Sequence, residues 1–250
     1  MLPKLSVITV VYNDKKHIEK TILSVLKQDY PNIEYIIKDG GSTDGTQEVI
    51  RKYENRIAKW ISEPDKGIYD AMNKAIDMAT GDYLLFLNSG DLFYNNEVVS
   101  KIFADHSNVK ADIYYGDAMI IDEQGKELGL RRHRPPEQLS WKSFVKGMLV
   151  SHQAFIPARK IVVKYDLQYR IAADIDWCIR IMKNARKIHN THLIIVKFLS
   201  GGTSAKRRIK ALKERFQIMR KYYGLLPTLY TYFVNSFKTL FFLIFKGRMM

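Results

Sequence analysis

The chain has 250 residues, 46% of them apolar and 26% charged, with a single cysteine. That size and composition suit one large globular domain and exclude a disulfide framework or a Cys/His zinc cluster. The net charge of +14 is unevenly spread: residues 1–130 carry 15 Lys/Arg against 21 Asp/Glu, a net −6, and residues 131–250 carry 25 against 5, a net +20. A carboxylate-bearing front half and a back half that meets nucleic acid, a phosphorylated ligand or an acidic membrane are expected. The amino terminus enters a strand-like run with no basic n-region, and Cys178 is alone, so a cytoplasmic chain is expected.

In chain order, residues 5–12 (LSVITVVY) read as a first strand. Ile18, Ile22, Val25 and Leu26 then recur at helical spacing up to the break at Tyr30-Pro31-Asn32. A second strand over 33–38 runs into the turn Asp39-Gly40-Gly41-Ser42-Thr43-Asp44-Gly45-Thr46, and a helix continues through Val49 and Tyr53. A third strand is expected at 57–62, followed by a loop (Glu63-Pro64-Asp65-Lys66-Gly67) and a helix with Ile68, Met72, Ala75, Ile76 and Ala79 on one face. The run YLLFL at 83–87 is apolar on both faces, as a central strand requires, and stops at Asn88-Ser89-Gly90-Asp91.

Strands alternating with helices predict an α/β fold with a Rossmann-like, mostly parallel central sheet flanked by helices. Ligands of such sheets bind at the carboxyl ends of strands, where Asn13-Asp14, 39–44 and 88–91 all fall. Further on, 113–121 and 128–130 flank a turn and predict a hairpin; 153–156 reads as strand, 175–182 as helix and 193–198 as strand. Residues 206–223 form a basic amphipathic helix with Ile209, Leu212, Phe216, Met219 and Tyr223 on one stripe. The aromatic stretch beyond Pro227, broken by Asn235 and Lys238, is too short of apolar residues to span a bilayer. It reads either as a core helix or as an anchor on an anionic membrane surface. These readings divide the chain into an α/β half at 1–110, a second half of the same domain at 111–205, and helices at 206–250.

The runs VITVVYN, SVLKQDYPN, EYIIKDGGSTDGT, DKGIYDAMNKAIDMATGDYLLFLNSGD and AADIDWCIR, in this order and spacing, resemble the family 2 glycosyltransferases over residues 4–205. The resemblance implies a GT-A fold with a C-terminal helical extension, an inverting mechanism and a nucleotide-sugar donor, UDP-linked by expectation. It implies that Asp39 reads the pyrimidine base, with Tyr12, Asn13, Asp44, Lys66, Asn88 and Ser89 around the donor. A carboxylate can accept the imide N–H of uracil, although Asp39 and Asp44 could equally cap the next helix. The family's acidic metal motif falls on 88–91, where Asn88 and Gly90 replace carboxylates and Asp91 alone remains to hold Mg2+ or Mn2+; loss of metal dependence is the competing reading.

The resemblance also places the general base at Asp174, which could instead cap the helix carrying Trp177, and acceptor contact at His152. Lys66, Arg131, Arg132 and Arg134 could face the diphosphate or the acceptor. The Gln-x-x-Arg-Trp signature of processive synthases is missing from the C-terminal half, which predicts addition of one sugar. Together these readings predict an inverting transferase on the inner face of the plasma membrane, moving a sugar onto a lipid-linked glycan for cell-surface polysaccharide. Alternatives are a nucleotide-sugar-binding protein without turnover and a basic nucleic-acid-binding protein, the last disfavoured because strand-end carboxylates repel phosphates and no nucleic-acid module is visible.

Overall fold

A computed structural model of the protein describes residues 2–104, 110–201 and 208–234. The elements are β1 (Leu5–Val11), α1 (Lys15–Leu26), β2 (Ile33–Asp39), α2 (Thr46–Arg51), β3 (Lys59–Ser62), α3 (Ile68–Met78), β4 (Tyr83–Phe86), β5 (Leu92–Phe93) and α4 (Val98–Phe103). They continue as β6 (Ile113–Ile121), β7 (Glu127–Leu130), β8 (Phe155–Pro157), α5 (Ala173–Asn184), β9 (Ile188–Leu199) and α6 (Arg208–Tyr223). Residues 225–234 are helical as well, and residues 235–250, with most of the aromatic stretch, lie outside the described residues.

The central sheet is wholly parallel in the order β3-β2-β1-β4. Every residue of β1 and of β4 is buried, because helices cover both faces. A second, mixed sheet has the order β5-β9-β6-β7, with β8 also on β6, and an isolated bridge between Tyr83 and Ala158 joins the two. The β6–β7 hairpin forms as its turn predicts, with Met119 opposite Leu130.

Three boundaries differ from the sequence reading. A short 3-10 turn at Glu54–Arg56 delays the edge strand β3 to Lys59. Residues 152–154 form a 3-10 turn, so β8 starts at Phe155. Strand β9 is twice as long as expected, since its first half pairs in parallel with β6 through polar residues that alternation does not mark.

The two sheets share one apolar core. Phe86 of β4 packs edge-on against Tyr165 and Trp177, which stack on each other with ring centres 4.8 Å apart. Trp177 belongs to α5, so this aromatic cluster fixes the start of α5 against the end of β4.

Candidate active site

The carboxyl ends of β1, β2 and β4 converge on one rim, and their turns are knitted together. Asn13 takes a left-handed conformation (φ 48°), its N–H donates to Ser42 Oγ at 2.8 Å, and its Oδ1 accepts the N–H of Thr43. Asp39 sits below this turn, fully buried. Its carboxylate accepts the N–H groups of Gly41 and Ser42 and the hydroxyls of Ser42 and Ser62. Fully buried and held by four donors, three of them on Oδ2, Asp39 acts as the organiser of the turn.

Asp44 is used similarly. It accepts from the N–H of Lys15 and from the N–H and hydroxyl of Thr46, the capping role that its sequence also allowed. Those donors outweigh the effect of burial and hold its carboxyl below the usual range.

The groups left to meet a ligand here are Tyr12, whose ring is 65% exposed, and Asp65. A Cβ on Gly40 would lie 2.6 Å from Asp65 Oδ2 and 3.1 Å from the Tyr12 ring, so glycine allows the two to flank the turn. Asp65 was not singled out from sequence, although the Pro64-Asp65-Lys66-Gly67 loop marked its place. Lys66 is exposed on that loop, its N–H donating to Asp70. Below them the buried Lys38 ammonium donates to the carbonyls of Asp39 and Glu63, and burial lowers its pKa.

At the end of β4, Ser89 donates to Asp14 Oδ2 at 2.7 Å, and His17 Nδ1 lies 2.6 Å from Asp14 Oδ1. Asn88 Nδ2 lies 3.4 Å from His152 Nε2, while Asn88 Oδ1 is buried without a hydrogen-bond partner. The far side of the same ring puts His152 Nδ1 3.6 Å from Asp174 Oδ2. Side chains from β1 to α5 thus form one row: Asp39, Ser42 and Asn13, then Asp14 and Ser89, then Asn88, His152 and Asp174.

Asp174 stands in the first turn of α5, its side chain 20% exposed. Burial alone would push its pKa up, but contact with His152 and the charges of His152 and Arg215 outweigh that and hold it ionised. Its Oδ1 accepts the N–H of Ile175, and the Tyr69 hydroxyl lies 3.4 Å away while donating to the carbonyl of Ile171. The Arg131 charge is felt at Asp174, whereas Arg134 is spent on a two-pronged pair with Asp117.

Asp91 departs from the expectation of an exposed metal ligand. Its carboxylate is buried, accepting Gln153 Nε2 at 2.9 Å and the N–H of Leu199 at 3.0 Å. Gly90 has φ 94°, a conformation that strains any side chain, and a Cβ there would also press on Leu199 Cδ2 at 2.8 Å, so the position favours glycine over an acid. Among the described residues no group of three or more His, Cys, Asp or Glu is placed to hold an ion. The donor set of this turn therefore does not fit a divalent ion held by Asp91.

Residues 6–165 match the sequence profile of glycosyl transferase family 2. The chain belongs to that family. An uncharacterised glycosyltransferase of Mycobacterium tuberculosis is 38% identical over 187 residues, 71% of this chain and 68% of that protein. TuaG of Bacillus subtilis, assigned to teichuronic acid biosynthesis, is 33% identical over 59% of each chain. Among solved structures, Staphylococcus aureus TarS 1-349 in complex with UDP superposes with a TM-score of 0.67 at 20% identity, covering 88% of this chain and 70% of that one. The mannosyltransferase PcManGT of Pyrobaculum calidifontis, solved with GDP-Man and Mn2+, gives 0.66 at 16% identity over 92% and 69%. The family 2 assignment makes the protein a glycosyltransferase, and the structural likeness makes its fold the GT-A fold.

Proposed function

We propose that this glycosyltransferase inverts the anomeric centre, moving one sugar from a UDP-linked donor to a hydroxyl of a growing glycan in cell-surface polysaccharide biosynthesis. The observation that carries the reading is the row from Tyr12 to Asp174: a strand-end shelf at one end and, at the other, an ionised carboxylate that is partly open. In this scheme the uracil ring lies against Tyr12, Asp65 is the carboxylate placed to accept its imide N–H, and Lys66 flanks the diphosphate. The acceptor hydroxyl sits between His152 and Asp174. Its oxygen forms the new bond to the anomeric carbon as the bond to the diphosphate breaks, and its proton passes to the Asp174 carboxylate.

UDP in the TarS complex and teichuronic acid for TuaG support the donor and acceptor classes. A lipid-linked acceptor fits the cationic back half. Mg2+ or Mn2+, which the Mn2+ complex of PcManGT brings to mind, would relieve charge on the departing diphosphate.

The test is the Asp174→Asn variant, assayed for transfer and for UDP binding by calorimetry. Transfer should fall by about 1,000-fold with UDP affinity kept; a fully active variant overturns the assignment. Thermal shift with UDP and MnCl2, separately and together, tests the site without turnover: UDP alone should stabilise the protein.

A further inference from the structure

Helix α6 attaches to the protein on either side of the proposed base. Glu214, buried, accepts hydrogen bonds from three consecutive backbone N–H groups, those of Arg170 (3.1 Å), Ile171 (2.8 Å) and Ala172 (3.0 Å). Ala172 is the residue just before α5, and its side chain does not cap the helix. A carboxylate from 42 residues further along the chain gathers the amides that lead into α5 and lies near the positive end of the helix. About two turns of helix beyond Glu214, near the end of α6, the second attachment is made: Asp176, fully buried, accepts from Lys221 Nζ (3.1 Å) and Tyr222 Oη (2.7 Å), besides Arg180 Nε. Asp174 lies between the two attachments.

The other side of this element is bare and apolar. Ile209 is 86% exposed, Leu226 78% and Phe233 71%, with Leu229 and Tyr230 beside them. Tyr232 packs on Phe216 and ties residues 225–234 to α6, and Leu226, Leu229, Tyr230 and Phe233 fall at i, i+3, i+4 and i+7 on the outer face of that helix. Residues 208–234 hold six Lys/Arg and one acid, Glu214, which faces inward. Exposed leucines and aromatics among cations match an anionic bilayer interface, whereas a second copy seated through the same surface would set its cations against these. No helix among the described residues is long and apolar enough to cross a membrane.

We propose that this surface docks on an anionic phospholipid bilayer and that docking steadies the base loop 170–174 through Glu214, a positioning residue. The kinetic part rests on the Asp174 reading above; the docking and the loop ordering do not. The experiment uses the full chain with vesicles of phosphatidylcholine, with or without phosphatidylglycerol, read by co-sedimentation and by hydrogen exchange of the amides of Arg170, Ile171 and Ala172. The protein should bind the anionic vesicles about tenfold better than the neutral ones, and Leu226→Asp with Phe233→Asp should remove that binding. On anionic vesicles the three amides should exchange about tenfold more slowly.

Glu214→Gln should bind vesicles as the parent does, lose the slowing, and lower kcat with the donor KM unchanged. Where that variant melts too early to assay, Tyr222→Phe at the second attachment should give a smaller loss of the same slowing. Absence of binding to anionic vesicles, or a dimer in sedimentation velocity that buries this surface, overturns the docking. Binding without slowed exchange overturns the coupling. A fully active Asp174→Asn alongside vesicle-slowed exchange would sink the base assignment and leave this inference standing.

Discussion

The strand-end shelf and the base loop treat their carboxylates in opposite ways. On the shelf, Asp39 and Asp44 are surrounded by donors from their own or neighbouring turns, and Asp91 is held by Gln153 and Leu199 from far along the chain, so all three carboxyls shape backbone. Around α5, Asp174 keeps part of its surface open, and the loop beneath it is held by Glu214 from a separate helix. The contrast teaches that an acid at a strand end is not thereby a ligand. The shelf is rigid because its hydrogen bonds are local, while the base loop depends on an element that can respond to its surroundings.

The contrast is most easily broken at Asp39. Replacing it with alanine orphans four donors in a buried turn and should cost about 3 to 5 kcal/mol in urea unfolding; a loss under about 1 kcal/mol would show the shelf is held otherwise. On the open side, His152→Ala should lower kcat about 100-fold with UDP affinity unchanged. Contact with His152 is among the influences that lower the Asp174 pKa, so its removal should move the acid limb of the kcat profile to higher pH, and an unmoved limb would deny His152 that role.

Asp91 offers a sharper test of burial. Desolvation raises its pKa to about 7, against the lowering effect of Leu199 and Gln153. A raised acid pKa favours the folded state below the unfolded value of 3.8, and the benefit is lost as pH rises through about 7. Stability of the parent should therefore fall on the order of 4 kcal/mol across that window relative to Asp91→Asn, measured by urea melts at successive pH values. The smallest effect expected is that of Ser62→Ala, which removes one of the four donors to Asp39 and should cost about 1 kcal/mol.

Much of the parallel half was legible because its signals are local. The switch from apolar run to polar turn marked the ends of β1, β2 and β4, and helical spacing marked α1 and α3. Asp44 as a cap was readable for the same reason. Asp91 was not, since its orientation is decided by Gln153 and by Leu199, 108 residues later. Glu214 carried no signal, being one acid in a basic helix. The stripe through Ile209, Leu212, Phe216, Met219 and Tyr223 divides in the structure: Met219 is buried and Phe216 and Tyr223 half-buried, while Ile209 and Leu212 stay outside and Ala211, Glu214 and Ile218 take the covered side.

By itself, then, the sequence determined the strand and helix alternation, the rim on which the chemistry falls and the candidate base, because periodicity and turn residues act over a few positions. Tertiary structure alone decided which carboxylates are spent and which is open. That choice depends on donors brought from distant segments, and a carboxylate's chemistry follows how many donors reach it rather than where it stands in the chain.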